Sequence, residues 1–235
     1  LEFRRVLFRS KRSADGGRTW SGRLPVPDNW ATSKEVPTIY RVIDPAGRRR
    51  LIVFSGLYPI RMASSEDDGA TWTPLSPIGN FGGIVAMASL VRLADGRYMA
   101  LFHDDGRFFR EGGTRGTFTV YQTLSADGGR TWSTPEVVVA RPDLDLYEPG
   151  AVRSPDGGEI AVLLRENRRL GASYLITSVD EGRTWSAPRA LDAGLTGDRH
   201  VLRYGPDGRL FATFRDMGPQ RSEEHTSELQ SRLHL

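Results

Sequence analysis

The chain has 235 residues, with 32 Lys or Arg against 29 Asp or Glu for a net charge of +3, 38% hydrophobic residues and no cysteine. A balance so close to neutral lacks the basic field that a nucleic-acid partner requires, no apolar run reaches the length of a membrane span, and a disulfide framework is excluded. Only Lys11 and Lys34 are lysines, an arginine bias that reads as a GC-rich coding sequence.

The ends read differently from the rest. Leu1 to Ser10, written as one set of codons, has a reverse complement that translates as Arg221 to Gln230. Both ends are then opposite strands of one DNA segment, similar to a sequencing adapter. Residues 1–10 and 221–235 are therefore expected to be non-native tails and are set aside. The informative stretch, residues 11–220, retains a net charge of +2 and reads as a fragment open at both ends.

Within it the first element is the octapeptide Ser13–Trp20, of the form Ser-x-Asp-x-Gly-x-Thr-Trp, which returns at Ser65–Trp72, Ser125–Trp132 and Ser178–Trp185. The Trp positions are 52, 60 and 53 residues apart, so one supersecondary unit is copied in series. Each copy predicts a turn: the Asp accepts turn amides, the Gly permits positive φ, and Thr-Trp starts a strand.

Between the octapeptides a second pattern recurs: an apolar strand, an Asp-Gly or Pro-x-Gly turn, and another apolar strand. It starts at Pro37 (blade A), Met87 (B), Glu148 (C) and Arg199 (D). Such turns between apolar runs predict hairpins. Asp95, Asp156 and Asp207 each fall eight residues after Met87, Glu148 and Arg199, and the second strands end at His103, Arg165 and Arg215. The spacing predicts that Glu148 meets Arg165 and Arg199 meets Arg215 at one mouth. A third strand, Tyr174 to Thr177 in blade C, and a fourth after the octapeptide make four antiparallel strands per unit, one β-propeller blade. The octapeptide turns then lie on the face opposite the mouth, whose loops begin at Ser55, His103, Arg165 and Arg215 and are rich in Arg.

The octapeptide resembles the Asp box, or BNR repeat, of the sialidase (neuraminidase) superfamily. The resemblance implies an all-β propeller, six-bladed when complete and present here as about three and a half to four blades. It implies a secreted or periplasmic exo-glycosidase that uses no cofactor. In sialidases a Glu opens a blade and an Arg ends its second strand, as Glu148 and Arg165 do. On that likeness Glu148 would activate a Tyr nucleophile and Arg165 would be one of three arginines clamping a substrate carboxylate, with Arg199 and Arg215 the next candidates. A guanidinium meets a carboxylate bidentately and stays charged. Asp104 and Asp105, on the rim loop led by His103, are candidates for the general acid. His103 and His200 map to the rim, and two histidines alone do not make a zinc site.

Each functional reading has a plain structural counterpart. Glu148 and Arg165 also suit an ion pair that locks a hairpin end, and Asp198 and Asp216 also suit counter-ions for Arg199 and Arg215. Sialidases carry an Arg-Ile-Pro element in the first blade, whereas this chain reads Glu35-Val36-Pro37; the Tyr nucleophile is expected in later blades. Two function classes follow: a sialidase-type hydrolase acting on a terminal anionic sugar of a glycan, or a non-catalytic propeller binding a glycan or protein at its mouth. An open ring exposes sheet edges, so the isolated chain is expected to be insoluble and inactive. A cooperative thermal transition in soluble material would contradict that.

Overall fold

The apolar runs flanking each Gly-bearing turn form hairpins because Gly47, Gly96, Gly157 and Gly208 take φ of 74–87°, which the turn requires and a side chain would oppose. The computed structural model describes residues 8–168, 172–192, 196–216 and 231–233. Blade A comprises β1 (Thr38–Ile43), β2 (Arg49–Ser55), β3 (Arg61–Ser65) and β4 (Ser76–Pro77), hydrogen-bonded in that order. Blade B repeats the plan with β5 (Val85–Arg92), β6 (Tyr98–Asp104), β7 (Thr119–Ser125) and β8 (Glu136–Ala140). Blade C does so with β9 (Leu146–Arg153), β10 (Ile160–Glu166), β11 (Tyr174–Ser178) and β12 (Arg189–Ala190). Blade D has three described strands, β13 (Gly197–Tyr204), β14 (Leu210–Asp216) and β15 (Ser231–Leu233). The one helical element among the described residues is a 3-10 turn, Asp28–Thr32. The chain is thus the expected all-β partial propeller.

Successive blades pack face to face, so the cores lie between sheets. Val42, Ile52 and Phe54 of blade A meet Met87, Ala100 and Phe102 of blade B. Met99, Leu101 and Val120 of B meet Ile160, Val162 and Ile176 of C. Leu163 and Leu175 of C meet Leu202, Leu210 and Ala212 of D. Parts of both tail segments touch this body: Phe8 is buried with its ring 6.0 Å from Trp30, and β15 pairs with β14.

The four octapeptides fold into the same turn. In each, the Ser hydroxyl bonds to the Asp and accepts the Gly amide, while the Asp accepts the Thr amide and hydroxyl. The Thr hydrogen bonds lead in lowering the carboxyls of Asp15, Asp67 and Asp180 to about 2. The Trp then seals one blade on the next. Trp132 lies 5.6 Å from Phe54 of blade A, and Trp185 Nε1 donates to Gln122 of blade B at 3.2 Å. Trp20 is 61% exposed, with its Nε1 on its own turn at Gly17.

Candidate functional site

What aims side chains into the mouth is a β-bulge repeated in the first strand of blades B, C and D. Pairing slips between Val85 and Ser89, opposite Leu163 and Arg165, and between Asp198 and Val201. The residue on each bulge is left-handed: Met87 (φ 47°), Glu148 (52°) and Arg199 (55°). Such a conformation costs a non-glycine residue about 1–3 kcal/mol and persists only where its surroundings over-determine it.

At Glu148 those surroundings are explicit. Its backbone N–H donates to His103 Nδ1 of blade B at 3.2 Å, its Oε1 accepts from Arg165 Nη1 at 3.2 Å, and its Oε2 accepts the backbone N–H of Arg199 of blade D at 3.1 Å. One buried glutamate thereby ties three blades. Arg165 stacks 4.5 Å over the Tyr147 ring, and its Nε lies 2.6 Å from Asp198 Oδ1. Arg215 reaches the other oxygen of Asp198 at 2.5 Å. Asp198 is fully buried, so a blade-D carboxylate bridges the arginines of blades C and D.

The expected meeting of Arg199 with Arg215 is corrected by this register. Asp198, not Arg199, stands opposite Arg215. Arg199 lies on the bulge, outside the pairs that β13 makes with β14. Glu35 is half-buried at φ 61°, and burial raises its carboxyl while Arg199 opposes the rise. Glu148 and Asp198 thus lie among Arg165, Arg199 and Arg215.

Asp104 and Asp105 are both fully buried. Asp104 accepts the amides of Gly106 at 2.5 Å, Phe108 at 3.2 Å and Phe109 at 3.1 Å, and so holds down the start of the rim loop. Burial is the leading cause of its raised carboxyl. Asp105 receives Arg107 Nε at 2.9 Å on both oxygens, with Arg115 at 3.7 Å. His103 packs edge-on against Tyr147, ring centres 4.9 Å apart, and burial lowers its ring to about 3. His200, expected on the rim, is buried between blades C and D, with Nε2 2.9 Å from Ser173 Oγ and its ring lowered by burial to about 4. Both imidazoles are therefore neutral at ordinary pH.

A cavity of about 820 Å³ runs between the first strands of the four blades, lined by Arg41, Arg92, Arg153 and Arg203 among others. Of the candidate residues only His200 lines it; it is the axial channel, and the carboxylate–arginine cluster lies outside it. Sequence reasoning gave Asp198 only as a possible counter-ion and Glu35 only as a departure from a motif. The signals present were an acid directly before a blade-opening residue and an acid two places before the Pro that leads into β1.

No protein-family model matches the sequence, and no curated protein matches it. Solved structures do. A protein of unknown function from Dyadobacter fermentans DSM 18053 is 16% identical, with 88% of this chain covering 63% of that one at a TM-score of 0.65. The intramolecular trans-sialidase from Ruminococcus gnavus, in complex with oseltamivir carboxylate, is 19% identical, with 88% covering 46% at 0.58. The endo-arabinase from Bacteroides thetaiotaomicron VPI-5482 is 16% identical, with 83% covering 76% at 0.56. The chain spans less than two thirds of the first two. The likeness establishes the fold: a propeller of the kind on which sialidases and other glycosidases are built.

Proposed function

We propose that this chain is part of a glycoside hydrolase of sialidase type, which removes a terminal sialic acid or similar anionic sugar from glycans. The observation that carries the reading is the Glu148–Arg165 pair at 3.2 Å, set on a strained bulge at the propeller mouth. Sialidases among the structural neighbours support it. Glu148 would take the proton of a nucleophile contributed by the rest of the ring, and Arg165, Arg199 and Arg215 would receive the sugar carboxylate. Arg165 arrives already oriented by Tyr147 and Asp198, so little is spent on ordering it when a ligand binds.

One observation favours the second reading, a non-catalytic glycan-binding or protein-binding mouth. Asp198 already supplies Arg165 and Arg215 with a carboxylate, so neither needs a ligand for charge balance. The two readings separate on hydrolysis of a fluorogenic sialoside by the protein completed from its flanking coding sequence, beside its Glu148→Gln variant. Turnover that falls at least a hundredfold in the variant supports the assignment. Turnover indifferent to that substitution removes Glu148 from the mechanism, and none in the wild type favours the binding reading.

A further inference from the structure

The three bulges share one plan. Met87, Glu148 and Arg199 are each the third residue of an eight-residue first strand, and His103, Arg165 and Arg215 are each the sixth residue of a seven-residue second strand. Blade B therefore holds a histidine where blades C and D hold arginines. In blades B and C that second-strand residue reaches the bulge of the next blade: Arg165 Nε lies 2.6 Å from Asp198 Oδ1, and His103 Nδ1 accepts the Glu148 N–H at 3.2 Å. A guanidinium has donors only and suits a carboxylate, whereas an amide N–H needs an acceptor, which a neutral imidazole supplies. Because Nδ1 accepts, the ring proton sits on Nε2, which is buried and has no hydrogen-bond partner among the described residues. The hydrogen bond this ring makes is thus directed at Glu148. Ser89 of blade B grips the same bulge, its Oγ donating to Pro149 O at 2.7 Å and accepting the Ala151 N–H at 2.8 Å.

We propose that His103 is a positioning residue, whose Nδ1 holds the Glu148 N–H and thereby aims the Glu148 carboxylate at the nucleophile that it deprotonates. The inference rests on the glycosidase reading above and adds the residue that sets the direction of its base. Glu148 needs such a hold because it keeps a left-handed φ of 52°, a conformation that persists only where the surroundings enforce it. Its carboxylate is fixed from blades C and D, by Arg165 Nη1 at 3.2 Å and the Arg199 N–H at 3.1 Å. His103 supplies the hold on its backbone from blade B. Without that acceptor the Glu148 N–H stays buried and unbonded, the bulge relaxes, and the carboxylate moves with it. Misplacing a reacting group by about 1 Å lowers the rate by about 10²-fold. His103 is itself fully buried and acts only through Glu148.

The test measures kcat, KM and melting temperature of the completed protein, with a fluorogenic sialoside as substrate. His103→Leu has a similar volume and no acceptor, whereas His103→Asn is smaller and carries an amide oxygen near the place of Nδ1. His103→Leu is expected to lower kcat by about 10–100-fold while KM changes by less than about threefold. His103→Asn should turn over at least about fivefold faster than His103→Leu, although the cavity it leaves makes its melting temperature the lower of the two. A side chain that only filled space would give the reverse order, with activity following melting temperature. His103→Met serves in place of His103→Leu if the latter does not fold. Wild-type kcat in His103→Leu, a loss confined to KM, or His103→Asn no faster than His103→Leu overturns the role of His103. A wild type without turnover refutes the glycosidase reading itself, and this inference with it. A wild type slowed by Glu148→Gln but by neither His103 variant refutes this inference alone.

Discussion

Replacing Asp198 by Ala leaves Arg165, whose side chain is only 12% exposed, with the ion pair to Glu148 and removes the carboxylate that Arg215 meets. Removing one member of a buried ion pair costs about 3–5 kcal/mol, because the survivor is left charged and poorly solvated. The two arginines do not share that cost equally. The Arg215 side chain is 56% exposed and reverts to water, so its part is about 0–1 kcal/mol; nearly all the loss belongs to the Asp198–Arg165 contact. Asp198→Asn, which keeps the shape and loses the charge, should cost about 1.5–3 kcal/mol. Urea unfolding of the completed protein measures these values, and double-mutant cycles apportion them. Coupling of Asp198 with Arg165 should exceed that with Arg215. An Arg215→Ala as damaging as Asp198→Ala, or an Asp198→Ala loss below about 1 kcal/mol, refutes the idea that Asp198 is the keystone of the mouth.

Acid should destabilise the fold through its histidines. His103 and His200 are held near 3 and 4 in the folded state against 6.5, so their stabilising effect is complete above pH 6.5 and is lost as the unfolded chain takes up protons below it. His103→Gln with His200→Gln should flatten stability measured between pH 6.5 and about 4; an unchanged slope refutes the assignment. Gly150→Ala should prevent blades C and D from docking, because its Cβ would meet the His200 carbonyl oxygen at 2.3 Å, whereas Gly22→Ala has nothing within 4 Å. Soluble yield and melting temperature compare the two, and equal tolerance contradicts the inter-blade contact. Trp132→Ala should cost about 3 kcal/mol, the low end for a Trp that is only half-buried, by removing the Phe54 contact. Trp20→Ala, at 61% exposure, should cost less than about 0.5 kcal/mol. Urea midpoints that rank the two the other way contradict the sealing role of the second Trp.

Much of this molecule was legible from local chemistry alone. Gly47, Gly96, Gly157 and Gly208 at their turns, the alternation of apolar runs and the repeated Ser-Asp-Gly-Thr-Trp bonds are set within a few residues, so pattern and spacing yield the blades and the end of each blade that forms the mouth. The meeting of Glu148 with Arg165 follows from hairpin length, because a two-stranded ladder leaves few registers. Long-range placement was not legible in the same way. The slipped pairing opposite Arg215 moves Asp198 into the place expected for Arg199, since one extra residue on a strand reverses which side chain faces the partner. The burial of Asp104 and Asp105 depends on how a rim loop folds back on its own amides, and the tie of Glu148 to His103 and to the Arg199 amide joins blades B, C and D. Hydrogen bonds between neighbours along the chain are written in the residue order. Contacts that close a ring depend on the accumulated twist and packing of every blade between them, and only the assembled structure decides those.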